Sequence, residues 1–134
     1  MTISHQLLLT LFPKRYAIAR FSPNEKIAMD YSLSSFFTLT KTDEEISVVC
    51  EQQDLPANVR AERDRRLLRI DSVITFELTG ILASVAFPLA DANISIFAVS
   101  SFDTDYILIA DHDLEPAIVV LENAGHKIHR SLAE

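Results

Sequence analysis

Hydrophobic and polar positions change period several times along this chain, most clearly from Thr79 to Ala110, TGILASVAFPLADANISIFAVSSFDTDYILIA. Ile81, Leu82, Val85 and Leu89 recur at helical spacing and predict one apolar helix face. Thr79 stands where an N-cap hydroxyl would accept an orphan N–H, and Gly80 follows it. Pro88 limits or kinks the last turn, and Asp91 and Asn93 close the helix. Ile94–Ser100 and Tyr106–Ala110 are nearly continuous apolar runs around an acidic turn, which predicts two strands with both faces covered or paired.

The same grammar extends to both sides. Strands are expected over Lys14–Phe21, Phe36–Thr40 and Glu45–Glu51, from alternation and β-branched content. Residues 22–35 keep no helical stripe. Gln52–Arg66 is polar, carries Pro56 and ends in a run of charges, so it reads as a loop joining two halves; Leu67–Thr75 is the next strand. A second helix follows Asp113, with Leu114, Ala117, Ile118 and Leu121 on its buried face and Gly125 at its end, then a short strand over His126–Arg130. The second half therefore orders as strand, helix, strand, strand, helix, strand, the split βαβ arrangement. Domains are expected at 1–61 and 62–134.

The halves echo one another. A shift of sixty positions sets Phe37 on Phe97, Asp43 on Asp103 and Glu45 on Asp105. One inserted residue then sets Asp54-Leu55 on Asp113-Leu114. The first half has no counterpart of the Thr79–Leu89 helix, which makes it a degenerate copy.

Composition narrows the function. The 134 residues are 49% hydrophobic, enough for a core without disulfides or metal. A net charge of −7 argues against a nucleic-acid partner, because Arg63, Arg65 and Arg66 are interleaved with Glu62 and Asp64. Two glycines, Gly80 and Gly125, exclude a Gly-rich phosphate loop. A single cysteine, Cys50, fits a reducing compartment and reads as a small buried hydrophobe. The start lacks the basic segment of a signal peptide, and no apolar run is long enough to span a bilayer. A cytoplasmic protein without membrane contact is expected. Ser100 and Ser101 lie in no GxSxG elbow, and His126 and His129, on opposite strand faces, lack the partners of a metal site. No cofactor, no metal and no catalytic residue are expected; the histidines read as surface or interface groups.

The Thr79–Ala110 pattern, followed by Leu114-Glu115-Pro116-Ala117 and Leu121–Gly125, resembles an ACT domain. It is most similar to small bacterial tandem-ACT proteins related to aspartate kinase regulatory domains and to the animal cytosolic arginine sensors. The resemblance implies an α+β, ferredoxin-like βαββαβ ACT module preceded by a degenerate ACT-like repeat. It also implies a non-catalytic regulatory protein that binds an amino acid or similar small effector at an ACT–ACT interface, as a homodimer and with a regulated enzyme as a further partner. Carried over, the effector site comprises Thr79, Gly80, Ile81 and Leu82, with Asn93, Ile94, Ser100, Asp103 and Asp105 as further ligand-binding candidates. Free N–H groups at a helix start suit an α-carboxylate, and an acidic side chain suits an ammonium. The competing reading is a structural or protein-interaction module without a ligand. In that reading Gly80 only eases a turn and Asp103 and Asp105 are hairpin chemistry.

Overall fold

The computed structural model describes residues 6–28, 30, 33–71 and 79–132. The chain divides into two compact units, Lys14–Arg65 and Met1–Pro13 with Arg66–Glu134. The fold is α+β: both units contribute antiparallel strands, and among the described residues the two α-helices lie in the second unit.

The first unit contains β2 (Tyr16–Phe21), β3 (Thr38–Lys41), β4 (Ile46–Glu51) and the start of β5 (Ala61–Ile70). Its strand order is β3-β4-β2-β5, and each neighbouring pair is antiparallel. Ala17, Ala19, Phe21, Ile46, Val48, Cys50 and Leu55 form its core, with Phe37 and Val59 packed alongside. Where an ACT module has its second helix, this unit has a 3-10 turn over Gln52–Asp54. Only five residues then separate Leu55 from the Ala61 that opens β5.

The second unit contains β1 (Leu8–Leu11), the end of β5, α1 (Ile81–Asp91), β6 (Phe97–Ser100), β7 (Asp105–Ala110), α2 (Leu114–Asn123) and β8 (Lys127–Arg130). The expected strand–helix–strand–strand–helix–strand order is present. The strand order, β6-β7-β5-β1-β8, adds one feature: β1 lies between β5 and β8, antiparallel to the first and parallel to the second. Residues before Lys14, assigned no element from sequence, thus supply a central strand of the second unit. Leu7, Leu9 and Leu11 of this segment, with Leu68, Ile70, Ile107 and Ile109, meet Ile81, Val85 and Leu89 of α1 and the predicted α2 face in one core.

Several expectations need correction. The charged run at 60–66 is not a loop. Ala61–Arg65 pairs with β2, and Arg63 donates to the carbonyls of Pro56 and Val59 at 2.9 and 3.0 Å, so its stem packs while its charge is solvated or bonded. Ile94 is not a strand residue, and Asn93 closes the helix as expected. Asn93 has φ +60; its N–H donates to the Ala90 carbonyl and that of Ile94 to the Leu89 carbonyl. That is a Schellman stop, with buried Ile94 closing over Leu89. Gly125 (φ +97) and His126 repeat it at the end of α2, donating to Glu122 and Leu121. The strand β6 is an edge and largely exposed, not covered on both faces. Of the strand expected over Leu67–Thr75, residues 72–75 lie outside the described residues.

The repeat is real, but its register is fifty-nine, not sixty. Thr38 pairs with Val49 in β3–β4 and Phe97 with Leu108 in β6–β7, each member 59 positions after its counterpart. The two 3-10 turns, Gln52–Asp54 and Asp111–Asp113, keep the same shift without an insertion. Side chains alternate between sheet faces, so a one-residue slip exchanges core and outer faces. At 59, core residues Val48 and Cys50 fall on core residues Ile107 and Ile109.

Candidate effector site

The start of α1 follows residues 72–78, which lie outside the described set. Its N-cap is Gly80 rather than Thr79, with φ +80, a left-handed conformation in which a Cβ is disfavoured. The glycine offers no side-chain cap, and the first turn carries no acidic residue. The Gly80 carbonyl accepts the Ser84 N–H at 2.9 Å, so helical bonding begins there. The N–H groups of Ile81, Leu82 and Ala83 precede it and point out of the helix end, where partial positive charge collects. Ile81 is buried in the core and Leu82 packs against it, so these two residues offer a ligand backbone rather than side chains.

Beneath this turn lies a polar cluster that sequence reasoning missed. Pro88 has no N–H, which leaves the Ser84 carbonyl without its usual helical donor. Nε2 of His126 lies 2.8 Å from that carbonyl, and Nδ1 accepts the Leu7 N–H at 3.1 Å. These contacts select the neutral tautomer with its proton on Nε2. His126 is 4% exposed, not a surface residue. The Ser84 hydroxyl donates to the Ile81 carbonyl at 2.7 Å. The histidine therefore fastens the first turn of α1 to the segment entering β1. Its position two residues past the C-cap, where a buried contact is usual, was the available sequence signal.

The acidic candidates sit on the β6–β7 hairpin. Ser101 N–H donates to the Thr104 carbonyl at 2.8 Å, closing the turn. Ser100 donates its hydroxyl to Asp105, with which it is paired across the strands. Thr104 donates its hydroxyl to the Ile70 carbonyl, tying the turn to the last residue of β5. Asp103 is exposed at the tip, beside Phe102. The first unit shows the same turn at Thr42–Glu45, with Thr42 N–H donating to the Glu45 carbonyl at 2.8 Å. Asn93 and Ile94 stand past the far end of the eleven-residue α1, a helix about 16 Å long at 1.5 Å per residue that separates them from Gly80. The structure thus brings Thr79 to Leu82 together, sets Ser100, Asp103 and Asp105 together on the hairpin, and separates Asn93 and Ile94 from Gly80. Among the described residues, no three His, Cys, Asp or Glu side chains converge as a metal site would require.

The first unit contains a buried charge. Glu51, 1% exposed, accepts bonds from Lys14 Nζ at 2.8 Å, Gln53 Nε2 at 3.1 Å, and the Ser35 N–H and hydroxyl at 2.6 and 2.7 Å. Burial pushes its carboxyl up, but the bonds from Lys14 and Ser35 outweigh this and hold it below the usual range. Cys50, beside it, is pushed up to about 11, chiefly by burial and then by the charge of Asp54. It is a buried hydrophobe, as its strand position implied.

Comparison with known proteins agrees with this architecture. An ACT-domain model matches residues 60–123, and the model of a family-specific N-terminal domain matches residues 14–58. The chain is 31% identical over 119 residues to a human protein named CASTOR3P, covering 76% of this chain and 72% of that one. It is 31% identical over 101 residues to the human cytosolic arginine sensor for mTORC1 subunit 1. That match covers 67% of this chain but only 31% of the sensor, so the chain spans about a third of that relative. A crystallised protein from Agrobacterium tumefaciens is 34% identical, covers 98% of both chains and superposes with a TM-score of 0.89. Aspartate kinases and their regulatory subunits share the fold at 11–15% identity, with TM-scores of 0.57–0.65. With the strand order and the two-helix module already described, these matches place the chain in the ACT-domain family.

Proposed function

We propose that this protein is a non-catalytic regulator that binds an amino acid at the start of α1 in its second unit. The effector's α-carboxylate meets the N–H groups of Ile81, Leu82 and Ala83, with Thr79 and Gly80 beside it. The observation that carries this reading is Gly80 at φ +80 opening a helix with no side-chain cap and no acidic first turn. Such a helix end suits an anion, and the missing Cβ allows close approach. Asp103 and Asp105 on the hairpin are the acceptors proposed for the ammonium group, Asp105 sharing its carboxylate with Ser100. The ACT family membership and the naming of a relative as an arginine sensor further support an amino-acid effector. A second copy of the chain closes the site in a homodimer, and the bound state is read by another protein, a regulated enzyme or complex. No helix among the described residues is long and apolar enough to cross a membrane. A cytoplasmic location is proposed with this function, because a relative is named a cytosolic arginine sensor.

A thermal-shift screen against the twenty amino acids tests this. A ligand at a hundredfold its dissociation constant adds about 2.7 kcal/mol of stability and raises the melting temperature. Ala83→Glu is the matched variant: a carboxylate in the first turn favours the helix yet covers the N–H groups and repels an anion. The expected result is a shift with one or a few amino acids that Ala83→Glu abolishes while the unliganded protein melts unchanged. No shift with any amino acid, or an undiminished shift in Ala83→Glu, would overturn the assignment.

A further inference from the structure

The ring of His126 is held between two elements of the second unit. Behind it, Gly125 at φ +97 and the His126 N–H, donated to the Leu121 carbonyl at 3.0 Å, fix the backbone from which the side chain projects. Nε2 meets the Ser84 carbonyl in α1 at 2.8 Å, and Nδ1 accepts the Leu7 N–H at 3.1 Å. The Leu7 carbonyl accepts the Lys127 N–H at 2.9 Å, so the entry of β1 is tied both to the ring and to β8. A proton affects the two ring contacts differently. Nε2 carries hydrogen in this neutral tautomer and in the cation alike, so its bond to Ser84 survives protonation. Nδ1 accepts only while its lone pair is free. Once protonated, it and the Leu7 N–H are two donors facing each other.

Among the described residues, the elements packed around the ring offer a cation no carboxylate. The only charged side chain of α1, Asp91, is exposed in its last position. Glu115 and Glu122 of α2 are exposed, Glu115 paired with Arg130, and Lys127 of β8 is exposed as well. On the N-terminal side stands the neutral Gln6, its Nε2 only 3.3 Å from the point a Gly125 Cβ would occupy. A charge buried without a partner is costly. The ring therefore takes up a proton only as Leu7 moves away and water reaches Nδ1. We propose that His126 is a proton-sensitive latch between the N-terminal segment and α1. Neutral, it joins them; protonated at Nδ1, it stays on Ser84 and releases the Leu7 end of β1. Imidazole is the side chain whose ordinary charge change falls between about pH 5 and 8, the range in which such a device acts. The latch requires no effector at the start of α1 and does not depend on that reading.

A pH titration of the full chain from about pH 8 to 5, followed in ¹H–¹⁵N spectra of the backbone and of the histidine rings, tests the proposal. At the alkaline end the His126 ring should show Nδ1 bare and Nε2 protonated. On acidification Nδ1 should gain its proton and the Leu7 amide signal should move with the same midpoint, while the amides of β7 stay in place. His112 and His129, both exposed, supply the behaviour of a solvated ring for comparison. In His126→Gln, which cannot titrate, the Leu7 amide should hold one position across the range. Four results overturn the latch: a ring that gains its proton while Leu7 stays fixed, a ring still neutral at pH 5, a Leu7 titration that persists in His126→Gln, or loss of all amide signals together, which is global unfolding. If His126→Gln does not fold, the wild-type spectra decide alone, and separate midpoints for the ring and for Leu7 refute the proposal. Failure of the amino-acid screen would leave these outcomes untouched.

Discussion

A single carboxylate shows how burial and charge are reconciled in the first unit. Glu51 ends a strand whose preceding residues Val48, Val49 and Cys50 are all buried, and its hydrogen bonds and the Lys14 ion pair make that position tolerable. Removing it takes away the acceptor shared by Lys14, Gln53 and Ser35 at the buried end of the strand. Glu51→Ala should therefore cost about 1–3 kcal/mol in urea unfolding, the range for leaving a buried hydrogen-bonding group unsatisfied. Its acid dependence has a definite sign. The folded carboxyl is held below the ordinary value of 4.5, so its contribution is complete above about pH 4.5 and is lost as pH falls through the lower folded value. Glu51→Gln should flatten the decline of stability on acidification; an unchanged slope would refute the assignment. Cys50, with its thiol near 11, should resist alkylation in the native protein at pH 8 and react only on unfolding.

The helix α1 shows which parts of an element are legible in sequence. Its apolar stripe and its extent were, because period and composition reach directly into the core: Ile81, Val85 and Leu89 are buried as expected. Its start was less so. Thr79 looked like the N-cap, but the left-handed turn belongs to Gly80; at the other end Asn93 closes the helix as expected, by taking φ +60. Asn93→Gly should be nearly neutral and Asn93→Ala should cost about 1 kcal/mol, since only the second opposes positive φ. The His126–Ser84 bond was invisible because it joins residues 42 apart in sequence, through a carbonyl released by Pro88. That causal order makes a double-mutant cycle informative. His126→Ala leaves the Leu7 N–H and the Ser84 carbonyl unpaired and should cost about 2–4 kcal/mol. Pro88→Ala restores a helical donor for that carbonyl, so His126→Ala should cost about 1 kcal/mol less in the Pro88→Ala background. Strict additivity would show that the proline and the histidine are not linked.

Over the whole chain, the choice of strand partners depends on contacts that local patterns do not encode. Hydrophobic alternation identified β2, β3, β4 and β7 to within two residues, and the acidic turns made the duplication visible. The same acids misled the register, since aligning Asp43 with Asp103 optimised turn composition while the sheet conserves faces at a shift of 59. Partner choice was beyond reach of the sequence. Leu7 to Leu11 was assigned no element, yet β1 pairs with both β5 and β8, and Leu9 is fully buried. Lys127 N–H donates to the Leu7 carbonyl and Ser131 N–H to that of Leu11, at 2.9 Å each. A fragment cut at 62, where the charged run suggested a domain boundary, would lose the strand between β5 and β8 and expose Leu68, Ile70 and Ile128 along the gap. The fragment 62–134 should therefore show no cooperative thermal transition by circular dichroism. A synthetic peptide of residues 6–13, added in excess, should restore one by mass action, with a midpoint that rises with peptide concentration. A fragment that melts cooperatively without the peptide would show that β1 is an accessory to the second unit. The expected outcome instead makes the N-terminal segment part of the scaffold that carries α1: through Leu7 and His126 it holds the first turn at which the effector is proposed to bind.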